Sequence, residues 1–394
     1  MVTKKKRRRS RAKKINHKTA FIIFALFFGT VITLTWALYH SNSASTNSPP
    51  TYEEVYTTKS VLHRQIGRIE HAIYESLYQR RILEKNVFFL AVKPRVEKGY
   101  KWDFIELLVK LPNKKSVVEF GKVINNELSP LGPDVRYKSE SRSNHEIVYH
   151  ILALGFYTHR IRVIYKEYKA GFHKGLPKVA LIIDDLGYDR DLAVAFFRLD
   201  LPLSFSVLPL APHTDAIVRE AHKRGRELIL HLPMEPKDYP FFDPGAGALL
   251  TDMDERDIRR TIGDHLERIS RARGVNNHMG SNFTVREDKM AIVLNELKKR
   301  NLFYIDSRTT TQTVAYELAK EMGVPVANRN VFIDNNLSQK SMKFQMERLL
   351  GMARHSGTAI GIAHPHEETL QLLKKYLPRL KKDVKMVPVS DLVS

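Results

Sequence analysis

From Lys178 to the C-terminus, apolar runs of strand length alternate with amphipathic stretches of helical period, and this alternation leaves few possible folds. Strands joined through helices pair in parallel, because a parallel crossover needs a connection about as long as a helix. The strands are expected to begin near Lys178, Leu203, Glu227, Gly274, Leu302, Val324, Thr358 and Val384. Helical patterns fill the gaps: 258–269, 284–299 with Thr284-Val285-Arg286-Glu287 as a capping box, and 344–353. Seven or eight such units over about 215 residues predict an α/β fold, an irregular (β/α) barrel of seven or eight strands. An open doubly wound sheet is the alternative, and the lack of a glycine-rich phosphate loop after the first strand counts against it.

Polar clusters follow these apolar runs. Asp184-Asp185 ends Val179-Ala180-Leu181-Ile182-Ile183, His231 ends Leu228-Ile229-Leu230, Asn276-Asn277-His278 follows Gly274-Val275, and His364-Pro365-His366 follows Ala359–Ala363. The C-terminal ends of parallel strands converge on one rim. Carboxylates and imidazoles gathered there suit a first-row divalent metal, zinc before others. Adjacent carboxylates oppose each other's ionisation unless they share a cation, so one of Asp184 and Asp185 is expected to ligate while the other stays free as a base. Taken singly, each cluster has a plainer reading: Asp185 as a helix N-cap, His231 in the core, His278 in a loop, His364 and His366 as caps. Asp306 and Arg308, at the end of the fifth strand, are candidates for binding sugar hydroxyls or for a structural ion pair.

The net charge of +21 resembles a nucleic-acid signal until it is located. Nearly half of it lies in residues 1–18, a basic tail before an uncharged apolar span at 19–39. Roughly 20 apolar residues cross a bilayer, whereas the core of a cleaved signal is about 7–15 residues. The basic flank predicts a single-pass anchor with its N-terminus cytoplasmic; cleavage near Ser43-Ala44-Ser45 is the alternative. No aromatic-basic stacking module is visible, so nucleic acid is not an expected partner. Cysteine is absent, which excludes thiolate ligands and disulfides.

Residues 40–58 read as a polar tether and 59–170 as a small α+β domain, with 171–177 as linker before a barrel over 177–394. In the small domain, Leu62, Ile66, Ile69, Ile73 and Leu77 predict a helix, and Ser116-Val117-Val118-Glu119 reads as a capping box opening a second. Strands are expected at 87–92, 104–109, 147–152 and 161–165. Its histidines (63, 71, 145, 150, 159) lack ligand spacing, so this domain is expected to act as a spacer, an oligomerisation unit or the site of a protein partner.

Five segments carry a more specific likeness: 182–188 (Ile-Ile-Asp-Asp-Leu-Gly-Tyr), 231–236 (His-Leu-Pro-Met-Glu-Pro), 274–281 (Gly-Val-Asn-Asn-His-Met-Gly-Ser), 303–309 (Phe-Tyr-Ile-Asp-Ser-Arg-Thr) and 363–366 (Ala-His-Pro-His). In order and spacing they resemble the divergent polysaccharide deacetylases, a branch of the β/α-barrel carbohydrate deacetylases. The likeness covers about Lys178 to Ser394 and not the residues before it. It implies a metal-activated water, with Asp184 as base, Asp185 and His231 as ligands and His364 as acid. The wider superfamily places its second ligand histidine four residues after the first, where this chain has Glu235. The third ligand therefore falls to His278 or to Glu235. Asn277 is a candidate oxyanion donor, and Glu235, Asp306, Arg308 and His366 are candidates to line the substrate. The expected activity is removal of N-acetyl groups from envelope polysaccharide by a protein of the bacterial inner (cell) membrane whose barrel is periplasmic or extracellular. A catalytically weak glycan-binding or scaffold module on the same barrel is the competing expectation.

Overall fold

The computed structural model describes residues 61–82, 86–143, 145–165, 175–310 and 312–394. The expected tail, apolar span and tether lie outside the described residues, as does most of the 171–177 linker. Among the described residues no helix is long and apolar enough to cross a membrane. All of them belong to one compact unit, Pro49–Ser394.

The apolar repeat at 62–77 does form a helix, α1 (Val61–Gln79), with Leu62, Ile66, Ile69, Ile73 and Leu77 buried. It packs with α2 (Lys114–Leu128) on a five-stranded sheet of order β1-β2-β5-β4-β3. These strands are β1 (Val87–Glu97), β2 (Tyr100–Lys110), β3 (Val135–Ser143), β4 (Glu146–Ala153) and β5 (Phe156–Ile164). The polar strand β3 was not expected: only Val135 of its nine residues is buried, so no apolar period marks it. The cap of α2 also differs from expectation. Asn113 accepts from the Ser116 amide at 3.0 Å, so the helix starts before the presumed capping box.

The second sheet is parallel throughout, with order β11-β10-β9-β8-β7-β6-β13-β12. Its strands are β6 (Lys178–Leu186), β7 (Ser204–Val207), β8 (Glu227–Met234), β9 (Gly274–Met279), β10 (Phe303–Asp306), β11 (Val326–Asn328), β12 (Val331–Phe332) and β13 (Thr358–Ala363). A short β14 (Lys385–Met386) pairs with β6 off this path. The helices between them are α3 (Arg190–Phe197), α4 (Thr214–Lys223), α5 (Glu255–Arg268), α6 (Glu287–Lys299), α7 (Ala315–Glu321), α8 (Gln339–Ser356) and α9 (Glu367–Asp383). Among the described residues β11 and β12 do not pair, so the sheet curls into a half-barrel without closing. The curl is visible in one inner cluster that joins Ala180 and Ile182 of β6, Ile229 of β8, Phe303 and Ile305 of β10, and Ile360 and Ile362 of β13. Alternate residues Val179, Leu181 and Ile183 pack outward under the helices, which is why β6 reads as a continuous apolar run. The expected capping box of α6 does not form. Thr284 donates its hydroxyl to the Gly280 carbonyl at 2.8 Å, and the helix begins at Glu287.

Helix α8 belongs to both cores. Met342, Met346, Leu349 and Leu350 face the barrel, while Phe344 enters the small domain's core, 5.6 Å from the Phe89 ring. Buried Arg348 reaches Glu70 at 3.3 Å and Asp103 at 3.7 Å. His159 is wholly buried, and burial, with Arg348 adding to it, pushes its imidazole down to about 3.

Gly274 opens β9 opposite Phe303. A Cβ there would lie 2.2 Å from a Phe303 ring carbon. Gly274→Ala is therefore expected to cost about 1–3 kcal/mol through overpacking, read as a lower urea midpoint at unchanged slope. An unchanged midpoint would mean that the ring swings aside freely.

Candidate metal centre

Each side chain of the site is placed by strand alternation. The inner row of β6 runs Ala180, Ile182, Asp184, so Asp184 faces the barrel interior and Asp185 would face away in an extended chain. The backbone at Asp185 instead has φ +54°, in the left-handed region, and this turn carries its carboxylate to the same side. Met279 (φ +51°) ends β9 and Arg308 (φ +52°) follows β10. A left-handed conformation away from glycine costs of order 1–3 kcal/mol and concentrates at functional sites; here three such residues stand on one rim.

Asp185, His231 of β8 and His278 of β9 converge. The Asp185 Oδ1 lies 2.8 Å from His231 Nε2 and 2.9 Å from His278 Nδ1, and the two nitrogens are 3.2 Å apart. All three residues are buried. Zinc held tetrahedrally by nitrogen and oxygen at about 2.0–2.2 Å has ligand atoms roughly 3.3 Å apart. The observed triangle is close to one face of that tetrahedron, and the donor set suits such an ion. The hydrogen bond behind His231 agrees. His231 Nδ1 lies 3.0 Å from Asn276 Oδ1, which only accepts, so Nδ1 carries the proton and Nε2 is the nitrogen turned to the site. Burial alone would lower the His231 pKa, but Asp184 and Asp185 outweigh it and raise it. Asp185 is also buried, which would raise its pKa, yet His278 and His231 hold it well below the usual carboxylate range. Burial keeps His278 neutral against the pull of Asp185.

Asp184 has a different environment. Its Oδ2 accepts from Asn276 Nδ2 at 2.9 Å, while its buried Oδ1 has no hydrogen-bond partner among the described residues. Burial, the largest influence, pushes its carboxyl up to about 6 against the opposing pull of His231 and His364. His364, at the end of β13, sets its Nδ1 2.8 Å from Asp334 Oδ1. The second oxygen of Asp334 accepts from the His364 amide at 2.7 Å and the Thr369 hydroxyl at 2.6 Å. Burial would lower the pKa of His364, but Asp334, then Asp185 and Asp184, raise it to about 9. His364 is thus an imidazolium at neutral pH, and His366 stands beside it with rings 6.3 Å apart.

Three of the expected substrate contacts are committed elsewhere. Asn277 points away from the metal triangle: its Oδ1 accepts from Tyr304 Oη and the Ser307 amide, both at 3.0 Å, and its Nδ2 donates to Met279 O and Thr309 Oγ1. No donor remains for an oxyanion. Asp306 accepts from the Arg308 amide at 2.8 Å and the Thr313 hydroxyl at 2.9 Å, which fixes the Arg308 turn instead of meeting a sugar. Glu235 accepts from Asn282 Nδ2 at 2.6 Å and Thr251 Oγ1 at 2.8 Å, and it is not in the group of residues that converge on the metal position. Half-buried Arg308 remains on the rim. Asn276 and Asp334 hold residues of the candidate site in place and were not among the residues expected from the sequence. Asn276 ties Asp184 to His231 in one amide, and Asp334 follows the two-residue strand β12, too short to register as a strand.

A sequence profile of divergent polysaccharide deacetylases matches residues 181–393. The chain is 33% identical over 217 residues to the uncharacterized protein YibQ of Escherichia coli (strain K12), covering 55% of this chain and 67% of that protein. It is 32% identical over 215 residues to an uncharacterized protein of Haemophilus influenzae, covering 55% and 76%. The crystal structure of uncharacterized protein ATU2773 from Agrobacterium tumefaciens C58 superposes on 58% of this chain and 92% of its own, with a TM-score of 0.53 at 23% identity, a likeness of fold.

Proposed function

The chain belongs to the divergent polysaccharide deacetylase family, and from that premise we propose that it is a membrane-anchored, exported, metal-dependent hydrolase that removes N-acetyl groups from envelope polysaccharide. The observation that carries this reading is the unequal treatment of two adjacent carboxylates, one drawn into the His231–His278 triangle and the other left with a bare oxygen and a raised pKa. Asp185, His231 and His278 would hold a zinc-class ion, which as a Lewis acid lowers the pKa of water and polarises an amide carbonyl. Asp184 takes the proton of the attacking water on its Oδ1, while Asn276 holds its other oxygen in place. His364, kept protonated by Asp334, delivers a proton to the departing amine. His366 and Arg308 border the sugar. The small domain, fastened through α8, serves as a spacer, an oligomerisation unit or the seat of a protein partner.

One observation favours a second reading, a catalytically weak glycan-binding module. At the position where the wider superfamily has its second ligand histidine, Glu235 is spent on holding loops together. Acetate release from N-acetylated envelope glycan by zinc-loaded protein separates the two. Release supports the hydrolase, and glycan binding without release supports the module.

The placement at the membrane rests on the basic tail and the uncharged span at 19–39. Reporter fusions after Thr51 are expected to be active only when the reporter works outside the cytoplasm. Fluorescence there from a cytoplasm-only reporter would overturn this topology.

A further inference from the structure

The ten cations of residues 1–18 account for less than half of the net charge of +21, and the remaining +11 belongs to the rest of the chain. In the barrel, the fold sorts charge by end. Helices that join parallel strands run back against them, so each helix ends where the next strand begins, opposite the metal triangle. Cations gather at that end: Lys223 in the last turn of α4, Lys298 and Lys299 in that of α6, and Lys381 and Lys382 in that of α9. One cation per helix end is ordinary, because it complements the helix dipole, but this effect fades beyond the last turn. Arg271 and Arg273 lie past the end of α5, in the turn into β9, and Lys385 lies past the end of α9, at the start of β14.

Strand register makes these positions neighbours. The Phe303 amide donates to the Arg273 carbonyl at 3.4 Å, which sets the turn after Lys299 beside Arg273. Lys385 pairs with Lys178 at the start of β6. Between these two pairs along the sheet, β8 follows Arg224 and β7 follows Arg198, with about 4.8 Å from strand to strand. Arg198, Arg271, Arg273, Lys299, Lys382 and Lys385 are all exposed, and their side chains make no hydrogen bond or ion pair among the described residues. Several acids of this end are already taken: Asp200, Glu220 and Glu296 pair with Lys381, Arg224 and Arg300. Exposed Glu267, Glu321 and Asp391 stand against the unpaired cations. The opposite end is mixed, with Asp191, Glu255 and Glu287 in first helical turns beside Arg190, Arg256 and Arg286.

Resting on the membrane placement above, we propose that this base of the barrel docks on the anionic headgroups of a phospholipid bilayer and turns the metal centre away from the lipid. Six residue steps lead from Lys178 to Asp184, so at about 3.3 Å each the centre stands about 20 Å above the base. Charge selects the occupant. Cations without a fixed carboxylate partner suit headgroups that have no fixed positions, and each one near such a surface strengthens the attraction about fivefold. The turns 198–203, 224–226, 270–273, 299–302 and 382–385 hold no aromatic residue on which bases could stack, unlike the usual surface for single-stranded nucleic acid. An anchor at 19–39 keeps the base concentrated over the bilayer, so contacts too weak to hold a free protein suffice.

The test uses the full chain in phosphatidylcholine nanodiscs, with and without phosphatidylglycerol. The sequence has no cysteine, so exposed Ser270→Cys and Glu368→Cys each give one labelling position, the first at the base and the second at the mouth. Quenching of the label by a nitroxide on the lipid headgroup reports which end meets the bilayer. With phosphatidylglycerol, the base label should be quenched severalfold more than the mouth label. The difference should vanish without that lipid, and in about 1 M salt, where charges act over about 3 Å. Lys299→Gln/Lys382→Gln/Lys385→Gln should lower the ratio of docked to undocked barrel about a hundredfold, at about fivefold per cation. These three side chains are exposed and unpartnered, so the fold should tolerate their loss, and an unchanged thermal midpoint checks this. Lys114→Gln/Lys115→Gln/Lys122→Gln removes equal charge from exposed positions of α2 and should leave docking unchanged. Equal quenching at both ends, quenching indifferent to lipid charge, or equal loss in the α2 variant overturns the docking face. Duplex DNA bound by the wild type and lost by the base variant, with no lipid effect, overturns it in favour of nucleic acid. A chain that high salt strips from phosphatidylcholine discs refutes the anchor, and anionic vesicles then decide the face. Quenching of the base label by them, lost in the base variant and kept in the α2 variant, supports it, and no such quenching overturns it.

Discussion

His231→Ala should remove most of the zinc-class ion from a protein that otherwise binds about one per chain. His231 supplies one of three converging atoms, and its Nε2 is aimed by the Asn276 amide. Changing a residue that merely supports a ligand costs about 10–100-fold in affinity, so Asn276→Ala falls in that range and His231→Ala falls beyond it. His278→Ala should behave like His231→Ala, whereas Glu235→Gln should keep the metal, because both Glu235 oxygens hold loops. The pH dependence has a definite sign. A cation on Nε2 must displace a proton that the carboxylates hold with raised affinity, so metal binding weakens as pH falls and releases protons as it proceeds. Metal content and isothermal titration at two pH values measure all of this. Full occupancy in both histidine variants would sink the centre. Loss in Glu235→Gln alone would hand the third position to Glu235.

Strand period and residue chemistry made the rim legible, and the errors come from not carrying the period far enough. The inner row of β9 is Asn276 and His278, and the inner row of β10 is Phe303, Ile305 and then Ser307. Strict alternation on these rows would have turned Asn277 and Asp306 outward, where the structure has them, and would have promoted Asn276. Asp185 is the opposite case. Alternation alone sends it outward, and only the left-handed turn at φ +54° brings it in, a backbone choice that no side-chain pattern encodes. Asp334 was hidden because two residues of strand give no period to read. Both misplaced capping boxes fitted the motif, but the Asn113 cap started one helix earlier, and Thr284, whose hydroxyl bonds the Gly280 carbonyl, left the other to start later. The small domain's helices and apolar strands were readable. Its polar strand β3 was not, because pairing with β4 rather than burial holds it.

Asp184→Asn should leave the metal bound and lower turnover by roughly 10²–10⁴. The amide preserves size, but it cannot take a proton from water, and the Asn276 bond to Oδ2 supports either side chain through a suitable rotamer. Asp185→Asn should act in the reverse order, on metal first. An exchange of these two effects would keep the hydrolase and reverse the base and ligand assignments. Acetate release no greater for wild type than for Asp184→Asn, on every N-acetylated glycan tried, would leave a binding module. The alkaline limb of the rate profile tests the acid separately. His364 must be protonated to act, and its pKa is raised to about 9, so activity should persist through neutral pH and fall as pH rises through that value. Asp334→Asn removes the largest influence opposing burial, so the limb should move to lower pH and turnover at pH 8 should drop while metal content stays constant. A limb that stays in place in Asp334→Asn would mean that another group delivers the proton. Glycan binding unchanged across these variants would confirm that the acid and the base act on the bond that breaks, not on the grip that holds the chain.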